Sequence, residues 1–291
     1  QKGQATRLTL ANGVKWRLDL GYAQIPHVFS QIARSPYVQG AAGFWMLPDS
    51  LQYRNQNGAA GYTARMTDLL NSSPTIPLSF GTNISTARLR ARPTKGWQIE
   101  AKGSMRERSG VKPYAMTFGF STAIEIPEPI HQQTVDGDII VNFQKDKFKL
   151  MASGGLSAFS NQVSTLYVDN PKRITDVAGG DGPKTGALDL YPDNQVIRGT
   201  LAMAYLLPRR TALTGTFGWS QGTQDDKFLK PLNNSALQVR TPSTVPVLFP
   251  ASQSTLDSLP ARSLNGKVNT IAGDLRLASS PMDKLEAALR F

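Results

Sequence analysis

Along Gly96–Arg106, GWQIEAKGSMR, the residues Trp97, Ile99, Ala101, Gly103 and Met105 alternate with Gln98, Glu100, Lys102, Ser104 and Arg106. A period of two places the first set on one face of a β-strand and the polar set on the other. The stretch follows a short turn, Arg92-Pro93-Thr94-Lys95, and a strand in which Ala87, Leu89 and Ala91 alternate with Arg88 and Arg90. This hairpin pattern recurs, predicting five hairpins near 6–25, 84–106, 134–158, 196–220 and 268–291. In the first, Trp16, Leu18, Leu20 and Tyr22 oppose Arg17 and Asp19 after an Asn12-Gly13 turn, a strong tight-turn dipeptide. In the third, Val135 to Phe143 pairs with Phe148 to Leu156 across Gln144-Lys145-Asp146-Lys147, with Asp136, Asp138 and Lys149 on the opposite face. The fourth turns at Pro208-Arg209-Arg210 and carries Arg198. The fifth turns at Ser279-Ser280-Pro281-Met282, with Asp274, Arg276, Glu286 and Arg290 facing away from its apolar positions.

Between the hairpins lie longer segments: Pro26–Asn83, Ser109–Gln133, Asn161–Asn194 and Gln221–Asn265. They read as loops, and Pro113, Pro127 and Pro129 argue against central strands in the second. A soluble sandwich usually has short connections at both ends, whereas a transmembrane β-barrel has short periplasmic turns and long extracellular loops. Strands of about 11 residues rising about 3.3 Å each and tilted near 45° span roughly 25 Å, the height of an outer-membrane apolar band. Aromatics gather beside the short turns (Trp16, Trp97, Phe143, Phe148) or toward the far ends (Tyr22, Trp219), as interfacial girdles do. The expected fold is all-β, an antiparallel transmembrane β-barrel of about ten visible strands, with residues 1–291 as one partial barrel domain. A soluble β-protein with one buried face explains the period but not the asymmetry of the connections.

Composition narrows the picture. Hydrophobic residues make up 40% and charged residues 18%, neither disordered nor helical-membrane in character. The longest apolar run, Leu201–Leu207, stops at Pro208, far short of the ~20 residues a spanning helix needs. The net charge of +11 is spread along the strands among carboxylates rather than clustered, which argues against nucleic acid as a partner. No signal peptide stands at Gln1 and Phe291 falls inside a strand pattern, so the sequence reads as a segment of a longer chain.

In a barrel the charged face is the lumen, because a mid-membrane Arg or Lys on the lipid side costs about 2–4 kcal/mol. The lumen candidates are Arg17, Asp19, Arg88, Arg90, Glu100, Lys102, Asp136, Asp138, Lys149, Arg198, Asp274, Arg276, Glu286 and Arg290. Such a face suits either a solvated channel wall or a docking surface for a protein inside the barrel, and periodicity leaves both open.

No catalytic constellation is visible. The absence of cysteine excludes disulfides, thiolate metal sites and C-x-x-C-H haem attachment. His27 and His131, the two histidines, read as loop residues without a second imidazole at ligand spacing. Asp169, Asp176, Asp181, Asp189 and Asp193 share a Gly-rich segment that matches no EF-hand, so a solvated loop is expected rather than a calcium site. Gly179, Gly180 and Gly182 do not open a helix after a strand, and no G-x-S-x-G elbow occurs.

At Tyr22-Ala-Gln-Ile-Pro26-His27, Ser30, Ala33-Arg34-Ser35-Pro36-Tyr37 and Leu47-Pro48, the chain resembles the MtrB/PioB family of decahaem-associated outer-membrane β-barrels. Leu207-Pro208-Arg209-Arg210, Gly222-Thr-Gln-Asp-Asp226 and Ser263-Leu264-Asn265-Gly266-Lys267-Val268 look like the same family. The resemblance implies a bacterial outer-membrane barrel of about 26 strands, of which this chain is less than half. It implies a periplasmic multihaem c-type cytochrome in the lumen, through which electrons cross the membrane, and leaves room for an extracellular multihaem cytochrome at the loops. The implied barrel binds no haem itself; the haem is carried by the cytochrome. A Cys-x-x-Cys near the N-terminus of some members is missing here. The alternative function is a general or substrate-specific porin.

Overall fold

In the computed structural model, the strand pattern becomes one ten-stranded antiparallel sheet. Residues 3–41, 43–119, 122–178, 182–230, 233–240, 246–248, 256–282 and 284–291 are described. The sheet strands are β1 (Gln4–Asn12), β2 (Trp16–Arg34), β5 (Thr75–Ala91), β6 (Trp97–Phe118), β7 (Thr122–Lys145), β8 (Phe148–Asn161), β11 (Asn194–Leu207), β12 (Thr211–Gln224), β15 (Gly266–Met282) and β16 (Leu285–Arg290). Each pairs with its neighbours in that order, leaving β1 and β16 as the two edges. Strong alternation and short turns make sequential antiparallel pairing the local solution for every hairpin.

The register carries the two-face pattern across all ten strands. Leu8, Leu20, Ala87, Gly103, Gly137, Leu156 and Ile197 follow one another on one face, and Arg17, Arg90, Glu100, Ile140, Ser153 and Thr200 on the other. On the apolar face, between Lys145 at the short-turn end of β7 and Lys267 in the register row of Met105, no described strand residue is charged. Among the described residues nothing covers that face: Ile139, Leu201, Phe217 and Ile271 are all exposed. Trp97, Phe143, Phe148 and Tyr205 form a continuous aromatic run beside the short turns, with centroids 4.7, 6.3 and 6.5 Å apart. Tyr205 is the member the sequence pattern alone did not assign to this girdle.

Several strands run beyond the expected ~11 residues. β2 continues to Arg34 and β5 begins at Thr75, so the segment read as a loop from Pro26 to Asn83 contributes strand at both ends. The Ser109–Gln133 segment is also not a loop. β6 and β7 pair without a register break from Trp97↔Phe143 to Phe118↔Thr122, with Pro113 opposite Pro127. The prolines are tolerated because the outer ribbon is only two strands wide: pairing of β5 with β6 stops at Phe80↔Gly110, and pairing of β7 with β8 stops at Gln132↔Asn161. Gly110, at φ +139°, marks the departure; a Cβ there would run into the backbone of Ser79 and Phe80. In the fifth hairpin β15 continues through Ser279-Ser280-Pro281-Met282 with an irregular register, so the turn falls after Met282.

The buried core lies at the loop end. β3 (Val38–Gln39), β4 (Phe44–Met46), β9 (Thr165–Asp169) and β10 (Thr185–Asp189) form a four-stranded sheet in the order β10-β9-β4-β3. Tyr37, Trp45, Leu47, Leu166 and Val168 from this layer pack with Phe118, Ile124 and Ile126 of the ribbon. Those three ribbon positions have the same parity as Glu100, Lys102 and Asp138, and the register between is unbroken. The loop layer therefore sits on the side of the ribbon that continues the charged face. Two helices, α1 (Asp49–Asn57) and α2 (Tyr62–Ser72), complete the first loop. The fourth loop holds β13 (Gln238–Arg240), β14 (Pro246–Leu248) and a 3-10 turn at Leu256–Ser258.

Candidate functional site: the charged wall

Each strand delivers its charged side chains to the wall by the same two-residue alternation, so the site is a surface rather than a cleft. Asp19, Arg88, Lys102, Asp138 and Arg198 lie in one register row, with Gly155 between the last two. Arg17 pairs with Asp19 at 2.9 Å, and Asp19 also accepts a hydrogen bond from Thr9 Oγ1 at 2.7 Å. Glu100 is shared by Arg88 at 2.7 Å and Arg90 at 3.3 Å. Asp138 is shared by Lys102 at 3.5 Å and Arg198 at 2.6 Å.

The Arg198–Asp138 bridge passes over an intervening strand, β8. It can do so because residue 155 has no side chain: a Cβ there would collide with Asp138 Oδ1 and lie 3.0 Å from Arg198 Nε. Asp136 accepts from Ser104 Oγ at 3.3 Å. With Arg7, these residues of β2, β5, β6 and β7, Glu100 excepted, line a groove of about 470 Å³.

The remaining candidates lie further along the same face. Lys149 and Asp274 border a second groove of about 510 Å³ with Met151, Thr214 and Thr216. Asp274 pairs with Arg290 at 2.5 Å, while Arg276 stands directly opposite Arg290 in the register. Glu286 is exposed on edge strand β16. Arg7 and Arg106 share the wall as well; the alternation of β1 and β6 marks both. Gly155 left no signal of its own, because its role depends on which carboxylate lies one strand away.

Neither histidine is in a loop. His27 lies in β2, where its ring stacks on Phe80 at 5.0 Å and meets Phe29 edge-on at 5.5 Å; His131 lies in β7. Among the described residues no three His, Cys, Asp or Glu side chains gather as a metal site. The loop aspartates are used structurally. Asp169 Oδ2 accepts from Leu47 N at 3.0 Å, and Asp193 Oδ1 accepts from Asn161 N at 2.6 Å. Burial alone would raise the Asp176 carboxyl, but bonds from Lys184 N, Ser235 Oγ and Ser235 N together hold it below the usual range. Asp181, Gly179 and Gly180 lie outside the described residues.

Buried amides tie the first long loop to the loop joining β8 and β11. Gln52 Nε2 donates to Asn170 O and Arg173 O, each at 2.8 Å, and Asn55 Nδ2 donates to Pro171 O at 2.8 Å. In the ribbon Lys112 Nζ sits 3.1 Å from Glu128 Oε2, a carboxylate only 1% exposed. Burial raises the Glu128 carboxyl and the ammonium draws it part of the way back. For Lys112, burial lowers the ammonium, but Glu128 and Tyr191 outweigh it and the net shift is upward.

A family model described as outer membrane beta-barrel porin, MtrB/PioB, matches residues 3–291. No curated protein matches the chain. Among solved structures, the open form of the ferric-catecholate import receptor Fiu from E. coli K12 aligns at 10% identity and TM-score 0.45, covering 99% of this chain and 46% of the receptor. The copper transporter OprC aligns at 11% identity and TM-score 0.35, covering 99% and 44%. The chain thus spans less than half the length of the solved proteins it matches.

Proposed function

The chain belongs to the MtrB/PioB family of outer membrane β-barrel porins, and from that membership we propose that it is part of a sheath housing a periplasmic multihaem c-type cytochrome for electron transfer across the outer membrane. The observation that carries the reading is the charged wall. A small barrel fills its interior with packed side chains, whereas this wall keeps open grooves and half-exposed cations along its length. A wall of that kind suits a broad polar occupant, and the apolar middle of its outer face separates that occupant from lipid. In this reading the chain binds no haem and catalyses no reaction. The cytochrome carries the haem, and the loop layer offers a surface to an extracellular multihaem partner.

The family description itself favours a second reading, a diffusion or substrate-specific porin. Purification of the full-length barrel from outer membranes separates the two. The sheath is expected to bring down a protein that stains for covalent haem on a denaturing gel, at constant stoichiometry. A haem-free barrel with stable conductance in planar bilayers overturns the sheath and supports the porin.

A further inference from the structure

We infer that the wall built by this chain docks an acidic protein face, a surface presenting clustered Asp and Glu side chains toward β5–β11. The inference rests on the sheath reading for the presence of a protein in the lumen, and adds the chemistry of the face it turns to this wall.

The layering of the ion pairs supports it. Asp and Glu are short and lie at the root of the wall; Arg and Lys are long and stand above them. Glu100 is 11% exposed in its side chain, but Arg88 and Arg90 above it are 45% and 40% exposed. Asp138 is 17% exposed, but Lys102 and Arg198 are 48% and 44%. Each carboxylate is also shared between two cations, so neither cluster is neutral. An approaching surface meets guanidinium and ammonium groups first, with donors left over after the wall's own pairs are made.

The cations without a carboxylate partner strengthen the bias. Arg7, Arg106, Lys149 and Arg276 face the wall with no ion pair among the described residues, against Asp136 and Glu286 on the acidic side. The extent favours a protein over a small anion. From Arg17 on β2 to Arg198 on β11 is five strand spacings, roughly 24 Å at about 4.8 Å each, too long a row for one small ligand. Complementary potential of this kind sets the register and speed of association more than its ultimate strength.

The test uses the full-length protein in its native outer membrane with three of the four unpaired cations reversed: Arg7→Glu, Arg106→Glu and Lys149→Glu together. None of the three pairs with Glu100 or Asp138, so those clusters stay intact; Arg7 acts on Asp19 through its charge alone. Heat-modifiable migration of the barrel checks that it has folded. Recovery of the covalently haem-stained partner per folded barrel is expected to fall about tenfold or more, while Gly154→Ala on the apolar face keeps wild-type recovery. Wild-type recovery in the reversed variant overturns the acidic face and leaves the sheath standing. A wild-type barrel whose co-purifying protein carries no haem and is lost on reversal sinks the cytochrome and supports the acidic face. An empty wild-type barrel that passes chloride in preference to potassium overturns both.

Discussion

At the scale of single residues, the wall depends on an absence as much as on its charges. Arg198 reaches Asp138 across β8 only because Gly155 leaves the path open. Gly155→Ala is expected to break that bridge and lower stability by about 1 kcal/mol, a figure appropriate to a part-exposed ion pair. Gly154→Ala, one residue away on the apolar face with nothing within 4 Å of its built Cβ, is expected to stay within about 0.5 kcal/mol of wild type. Urea unfolding of the full-length barrel in micelles measures both; equal effects would show that the bridge does not need the gap. Alternation placed Arg198 and Asp138 on one face from sequence alone. It could not distinguish Gly155 from its neighbour, because the distinction lies in the pairing of β7, β8 and β11.

At the scale of elements, the outer β6–β7 ribbon is where local sequence rules and the fold diverge. Pro113, Pro127 and Pro129 forbid a position between two partner strands, and the fold meets that restriction by giving the ribbon only one pairing side there. Its inner face then carries the Lys112–Glu128 pair under the loops. Glu128 has its carboxyl raised by burial, so its contribution favours the fold below its unfolded pKa and is lost as pH rises through the folded one. The raised Lys112 contributes in the same direction at higher pH, fully present below the ammonium's unfolded pKa and lost above it. Lys112→Met removes the cation and pushes Glu128 further up. The variant is expected to lose about 3 kcal/mol of local stability near neutral pH and to recover much of it as pH falls toward the ordinary carboxylate range. Hydrogen exchange of the 111–131 amides as a function of pH reads this out. Protection that is flat with pH in Lys112→Met, or that improves as pH rises, would remove the buried carboxylate from the account.

On the scale of the whole molecule, a single sheet divides two environments. Leu201 and Thr200 are adjacent in β11 but face opposite ways. Leu201→Arg puts a charge among Ala152, Phe217 and their neighbours on the outer face, and is expected to cost about 2–4 kcal/mol of folding in lipid. Thr200→Arg adds one more cation to the wall and is expected to change folding little. The folded fraction in lipid vesicles compares them, and a matched loss would mean that the two faces do not differ in solvent. At this scale the loops matter too. They form a hydrogen-bonded layer on the wall's side of the ribbon, with Gln52 and Asn55 holding the backbone of the loop that joins β8 and β11.

By itself the sequence determined the hairpins, the two faces and the charged set, since a period of two needs only a strand and a short turn to become a sheet face. It also held the family's motifs, on which the membrane assignment rests. Tertiary structure alone decided that the presumed loops at Pro26–Asn83 and Ser109–Gln133 extend the strands, because a proline's cost depends on which neighbours a strand lacks. It alone decided that Arg and Lys stand above Asp and Glu on the wall, because that order follows from side-chain reach across paired strands rather than from position along the chain.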